Sequence, residues 1–149
     1  MSNAEILTTG DLPAVGGSGK SSQFSNNNQY LAVAHNTSPF LTIYKKGNGD
    51  SFTKLNIAAP TGNGIDLAFS SDDTYLAVVH NLHPFLTVYK RTGDNFVKLN
   101  VPALTAVATS CSFSNDNLYL AITSSVEPYI IVYKKDSNDV FTKLYTGGN

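Results

Sequence analysis

The stretch FSSDDTYLAVVHNLHPFLTVYKRTGDNFVKL, residues 69–99, decides the fold. It divides into short runs rich in β-branched and aromatic residues, separated by polar turns that carry Gly and Pro and lack helix-capping signals. With the residues just before it, the stretch predicts four strands, at about 65–69, 75–80, 85–90 and 95–100. Ser70 to Asp73 supply side chains that hydrogen-bond local backbone, as Asx- and Ser-turns do. Pro84 suits a strand entry, because its φ is fixed and it has no N–H. Gly93 stands where a hairpin calls for positive φ. The runs YLAVVH and FLTVYK are apolar on both pleat faces, so the sheet they form must be covered on both sides.

The same pattern occurs twice more, as FSNNNQYLAVAHNTSPFLTIYKKGNGDSFTKL (24–55) and FSNDNLYLAITSSVEPYIIVYKKDSNDVFTKL (113–144). Phe24, Phe69 and Phe113 are spaced by 45 and 44 residues, as are Tyr30, Tyr75 and Tyr119, Pro39, Pro84 and Pro128, and Tyr44, Tyr89 and Tyr133. Only the turn before Phe52, Phe96 and Phe141 changes length, which marks it as a surface turn. Four strands per unit, at a period in the forties and without intervening helix, match the blade of a β-propeller better than a solenoid coil. The expected fold is therefore all-β: three four-stranded antiparallel blades at 21–56, 57–100 and 101–149, preceded by a segment at 1–20. Residues 5–9 are read either as an extra edge strand or as part of a leader.

The FS-x-D-x-x-YLAVAH type of run followed by I/V-x-V/I-YK resembles the blades of bacterial and phage WD-repeat-like and YVTN-like propellers, over about residues 20–145. The resemblance implies architecture, because the matching residues build turns and blade cores. The Trp-Asp and Gly-His pairs of eukaryotic WD repeats are absent here, so their hydrogen-bond network is not carried over.

Propellers hold about 4 to 8 blades. Sheets pack face to face at about 10 Å, whereas a four-stranded blade is about 15 Å deep, so three blades diverging by a third of a turn would leave most of their apolar faces bare. Closure by homo-oligomerisation is expected: a dimer would give six blades and a homotrimer nine, with head-to-tail contacts in either case. The resemblance to arrays that make large rings favours the trimer slightly.

Composition narrows the function classes. Ten basic and eleven acidic residues leave a net charge of −1, so no chain-wide field draws nucleic acid or anionic membranes. No run approaches a membrane span and no signal-peptide pattern opens the chain, so a soluble protein is expected, cytoplasmic or part of a virion. Cys111, the single cysteine, lacks a basic sequence neighbour and reads as a small core residue.

Candidate binding residues lie at the turns between second and third strands, expected to share one face with the linkers between repeats. They are His35, Asn36 and Ser38, then His80, Asn81 and His83, then Ser124, Ser125 and Glu127. These positions vary while their framework stays constant, as in a diversified recognition surface or in drifting loops. His35 and His80 occupy equivalent strand ends, with Thr123 assigned to the third copy, so hydrogen-bonded structural histidines are expected and no metal site. Ser21, Asp66 and Ser110 share the innermost strand position and are candidates to line a polar channel. Asp72, Asp73 and Asp116 read as turn formers, since calcium loops need more oxygen ligands than these turns supply. Gly62 and Gly64 make no phosphate loop, because no helix follows. Neither catalytic residues nor a cofactor is expected. The reading is a non-enzymatic scaffold that binds itself and an unknown ligand through repeated loops. A phage or bacterial surface component and an engineered propeller fragment both fit it, and a channel-sited hydrolase or lactonase is the alternative.

Overall fold

A computed structural model describes residues 12–144, and within them lie twelve strands and no helix. The first blade is β1 (Gly19–Phe24), β2 (Tyr30–His35), β3 (Leu41–Lys46) and β4 (Phe52–Lys54). The second is β5 (Gly64–Phe69), β6 (Tyr75–His80), β7 (Leu86–Thr92) and β8 (Asn95–Lys98). The third is β9 (Ala108–Phe113), β10 (Tyr119–Ser124), β11 (Ile130–Lys135) and β12 (Phe141–Leu144). Each blade is a four-stranded antiparallel sheet in chain order. No helix among the described residues is long and apolar enough to cross a membrane.

The turn between first and second strands is built alike in all three copies. The hydroxyls of Ser25, Ser70 and Ser114 donate to the side chains of Asn27, Asp72 and Asp116, and accept from the N–H of Tyr30, Tyr75 and Tyr119. Asn28, Asp73 and Asn117 close the turns at φ of 62°, 59° and 63°, a region these short polar side chains tolerate. Gly93 has φ 60°, as its hairpin position requires.

The turn between second and third strands departs from expectation. Pro84 does not enter the strand: it sits inside the turn behind a cis peptide bond, as do Pro39 and Pro128, and β7 begins two residues later. The residue after each proline is left-handed, with φ of 69° at Phe40, 67° at Phe85 and 59° at Tyr129. Bulky residues seldom adopt this conformation. The turn's own hydrogen bonds hold it, from His80 N–H to Phe85 O at 3.0 Å and from Phe85 N–H to Leu82 O at 2.7 Å.

The first blade also begins earlier than the division at residue 20, because Gly19 and Lys20 belong to β1. The segment before it runs as the later linkers do: the Tyr44 hydroxyl donates to the Pro13 carbonyl, as Tyr89 does to Ala58 and Tyr133 to Pro102. Residues 5–9 lie outside the described residues.

Two apolar layers fill the spaces between blades. One joins Ala32, Ala34, Leu41 and Ile43 of the first blade to Leu67, Phe69, Leu76 and Val78 of the second. The other joins Ala77, Val79, Leu86 and Val88 of the second blade to Ala108, Cys111, Leu120 and Ile122 of the third. Strand β6 is buried along its whole length, which is the double-sided cover its continuous apolar run calls for.

Candidate functional site

The polar chemistry of the chain concentrates where blades meet, and both junctions use the same residues. Tyr30 of the first blade donates its hydroxyl to Asp94 of the second at 2.5 Å, and Lys45 pairs with the other Asp94 oxygen at 2.6 Å. One blade on, Tyr75 donates to Asp139 and Lys90 pairs with that carboxylate at 2.5 Å. Each lysine holds its aspartate below the usual carboxylate range, and burial, reinforced by the aspartate, raises the tyrosine hydroxyl pKa. Arg91 lies over the Tyr30 ring at 5.1 Å and Lys135 over the Tyr75 ring at 5.0 Å, while Phe96 and Phe141 meet those tyrosines edge-on.

A second bracket joins neighbouring turns. Asp73 accepts from the N–H groups of Asn26 and Asn27 at 2.6 and 2.8 Å, and Asn117 Oδ1 accepts from the Ser71 N–H at 2.7 Å. Ion pairs as exposed as Lys45–Asp94 add little stability, so the buried apolar layers hold the blades while the brackets fix which face meets which.

On the opposite face, the turns between second and third strands do adjoin the linkers. Asn36 Oδ1 accepts from Ser18 N–H at 2.9 Å and Asn81 Oδ1 from Asn63 N–H at 2.8 Å. Thr61 Oγ1 donates to the His83 carbonyl at 2.8 Å. Asn36 and Asn81 border one open groove of about 390 Å³ together with Lys20, Asn63, Gly64 and Ile65. Ser38, His83, Ser125 and Glu127 are exposed, and the His83 ring lies edge-on to Phe85. Ser124 is half-buried, and its hydroxyl donates to the Val107 carbonyl at 3.2 Å.

His35 and His80 are not part of that surface. Both are completely buried, with Nε2 2.9 Å from the hydroxyls of Thr42 and Thr87. Burial lowers both pKa values, that of His80 to about 4. The strand register also sets Ser124, rather than Thr123, at their position in the third blade: Gly19 faces His35, Gly64 faces His80 and Ala108 faces Ser124. The threonine partner becomes Ile131 in the same copy, so the pair is lost together.

Of the channel candidates, Ser21 and Asp66 come together and Ser110 is exposed. Asp66 accepts from the Ser21 hydroxyl at 2.8 Å and from the Cys111 N–H at 3.1 Å, tying the innermost strands of three blades. Cys111 is buried, and that burial pushes its thiol pKa up. Among the described residues no three His, Cys, Asp or Glu side chains cluster so as to hold a metal ion.

Two features are not apparent from sequence patterning alone. Each first strand carries one unpaired residue, Lys20, Ile65 or Thr109, where the ladder register shifts. Two of these bulge residues, Lys20 and Ile65, border the groove. The inter-blade aspartates, Asp94 and Asp139, look in sequence like charges that merely offset nearby lysines. Their constant position two residues before Phe96 and Phe141 is the clue to their role.

No protein-family model matches the chain, and no curated protein does. Solved structures do. A Bacteroides fragilis protein named "putative 6-phosphogluconolactonase" has a TM-score of 0.75 and 15% identity over 89% of this chain and 39% of its own. A Bacteroides uniformis protein of the same name gives 0.67 and 12%, over 85% and 40%. A Lactobacillus plantarum protein gives 0.74 and 16%, over 89% and 42%. The chain thus spans about two fifths of the length of these neighbours, and its fold is that of three consecutive β-propeller blades.

Proposed function

We propose that the chain is a non-enzymatic scaffold, whose three blades close with copies of themselves into a ring that holds repeated turns on one rigid face. The observation that carries this reading is a contrast between equivalent positions. Leu41 and Leu86 are 0% and 3% exposed, whereas Ile130, their counterpart on the third blade, is 46% exposed. Phe69 is 6% exposed and its first-blade counterpart Phe24 is 49% exposed. Burying one such side chain stabilises a contact by about 1.5–3 kcal/mol, and a neighbouring copy supplies a surface of the right shape at each end. A nine-bladed homotrimer remains slightly favoured over a six-bladed dimer, and the variable turns with the Asn36–Asn81 groove form the face that would meet a ligand.

Lactone hydrolysis, which the names of two neighbours suggest, would need a carboxylate or imidazole open to the channel. Asp66 is instead engaged by Ser21 and Cys111, and His35 and His80 are enclosed. Class averages by electron microscopy test the scaffold reading. Closed discs with a central channel are expected, and turnover of 6-phosphogluconolactone should not exceed background. Open arcs, or hydrolysis that disappears in Asp66→Asn, would overturn it.

A further inference from the structure

Resting on the ring reading above, we propose that the junction between copies is a polar bracket in which Asp50 of one copy accepts from Tyr119 and Lys134 of the next. Within the chain the bracket is always made in one direction: a blade gives a tyrosine hydroxyl and a lysine amine, and the following blade receives them on an aspartate. The third blade carries the giving pair, Tyr119 and Lys134, at the positions of Tyr30 with Lys45 and of Tyr75 with Lys90. The first blade carries the receiving carboxylate, Asp50, two residues before Phe52, as Asp94 precedes Phe96 and Asp139 precedes Phe141. Lys134 and Asp50 are exposed, and neither takes part in the two ion pairs found among the described residues.

The other elements of the junction are also present in halves. Asn28 lies at the position of Asp73 and Asn117, exposed, ready to accept from the backbone N–H groups of Asn115 and Asp116 on the next copy. Lys46 stands where Arg91 and Lys135 stack on a tyrosine ring, so it would cover Tyr119 of the neighbour. Phe52 occupies the place of Phe96 and Phe141 and is half-buried rather than enclosed. In both brackets the third blade therefore supplies donors and the first blade acceptors, so like ends do not match and the copies join head to tail. A second copy of this chain satisfies the whole set at once, and it does so with no contact type that the two internal junctions lack.

Sedimentation equilibrium on the full chain tests this with Asp50→Lys, Lys134→Asp and the double variant carrying both. Each single variant sets like charges against each other and is expected to raise the dissociation constant of the assembly about tenfold or more. The double variant restores an opposite pair in reversed order and is expected to recover most of that loss. Both substitutions fall on exposed positions, and unchanged circular dichroism in all three variants would show the blades intact. An assembly that forms equally well in all the variants would overturn the bracket while leaving the ring in place. A wild-type chain that stays monomeric would remove both proposals.

Discussion

The buried His80–Thr87 pair predicts a specific acid sensitivity. His80 is fully enclosed, its Nε2 lies 2.9 Å from the Thr87 hydroxyl, and its Nδ1 has no hydrogen-bond partner. Burial lowers its pKa to about 4 and Lys98 adds slightly to the effect, while the nearby Leu82 carbonyl opposes it without well-formed geometry. The unfolded chain takes up the imidazole proton near pH 6.5, but the folded chain does so only near 4. Stability from this group is therefore complete above pH 6.5, falls as the pH drops through that window, and levels off below about 4. A tenfold difference in proton affinity between folded and unfolded chain is worth about 1.4 kcal/mol, so the loss is on the order of 3 kcal/mol. The pKa of His35 is lowered too, and its effect has the same sign.

Urea unfolding at a series of pH values, at one protein concentration, reads this loss directly. The control comes from the chain itself, because the third blade fills the equivalent positions with Ser124 and Ile131. In His80→Ser with Thr87→Ile, the dependence between pH 6.5 and 4 should flatten by about one proton's worth. Thr87→Ile alone should cost about 1–3 kcal/mol at neutral pH, since it strands a buried ring nitrogen. Parallel pH dependences for wild type and the double variant, or a His80 imidazole that titrates near 6.5 by NMR, would refute the reasoning.

Two further outcomes follow from packing and from the inner strands. Leu86→Ala should cost about 2–5 kcal/mol at any protein concentration, whereas Ile130→Ala, at the equivalent but exposed position, should act mainly by weakening assembly; urea midpoints measured over a dilution series separate the two. Asp66→Ala leaves the Ser21 hydroxyl and the Cys111 N–H without their acceptor, and a loss of about 1–3 kcal/mol is expected in the same titration, against almost none for Ser110→Ala.

The repeat was legible because period, turn chemistry and strand patterning agree in all three copies. Phe, Tyr and Pro markers at constant spacing locate β5 to β8 to within about two residues. The second-to-third-strand turn was not legible, since local preference argues against an aromatic residue in the left-handed region and only the fixed turn geometry overrides it. The histidines were legible in part: their repeated place reads as structural and each does meet a threonine hydroxyl, but grouping them with the exposed turn residues was wrong. A strand-end position next to a variable turn looks like surface, yet both rings are completely buried, opposite Gly19 and Gly64 and against the Thr42 and Thr87 hydroxyls. The junction aspartates show the converse, because their exposed, charge-balanced pattern reads as solvent-facing until spatial neighbours 49 and 64 residues away are known.

Ring closure depends on whether bare first- and third-blade faces find each other. Light scattering coupled to size-exclusion chromatography measures this most directly, as the molar mass of the wild-type chain in solution. The expected value is a whole multiple of the 16.0 kDa chain mass, two or three times that value, as for a six- or nine-bladed ring. A single species at 16.0 kDa that persists as the protein is concentrated would contradict it.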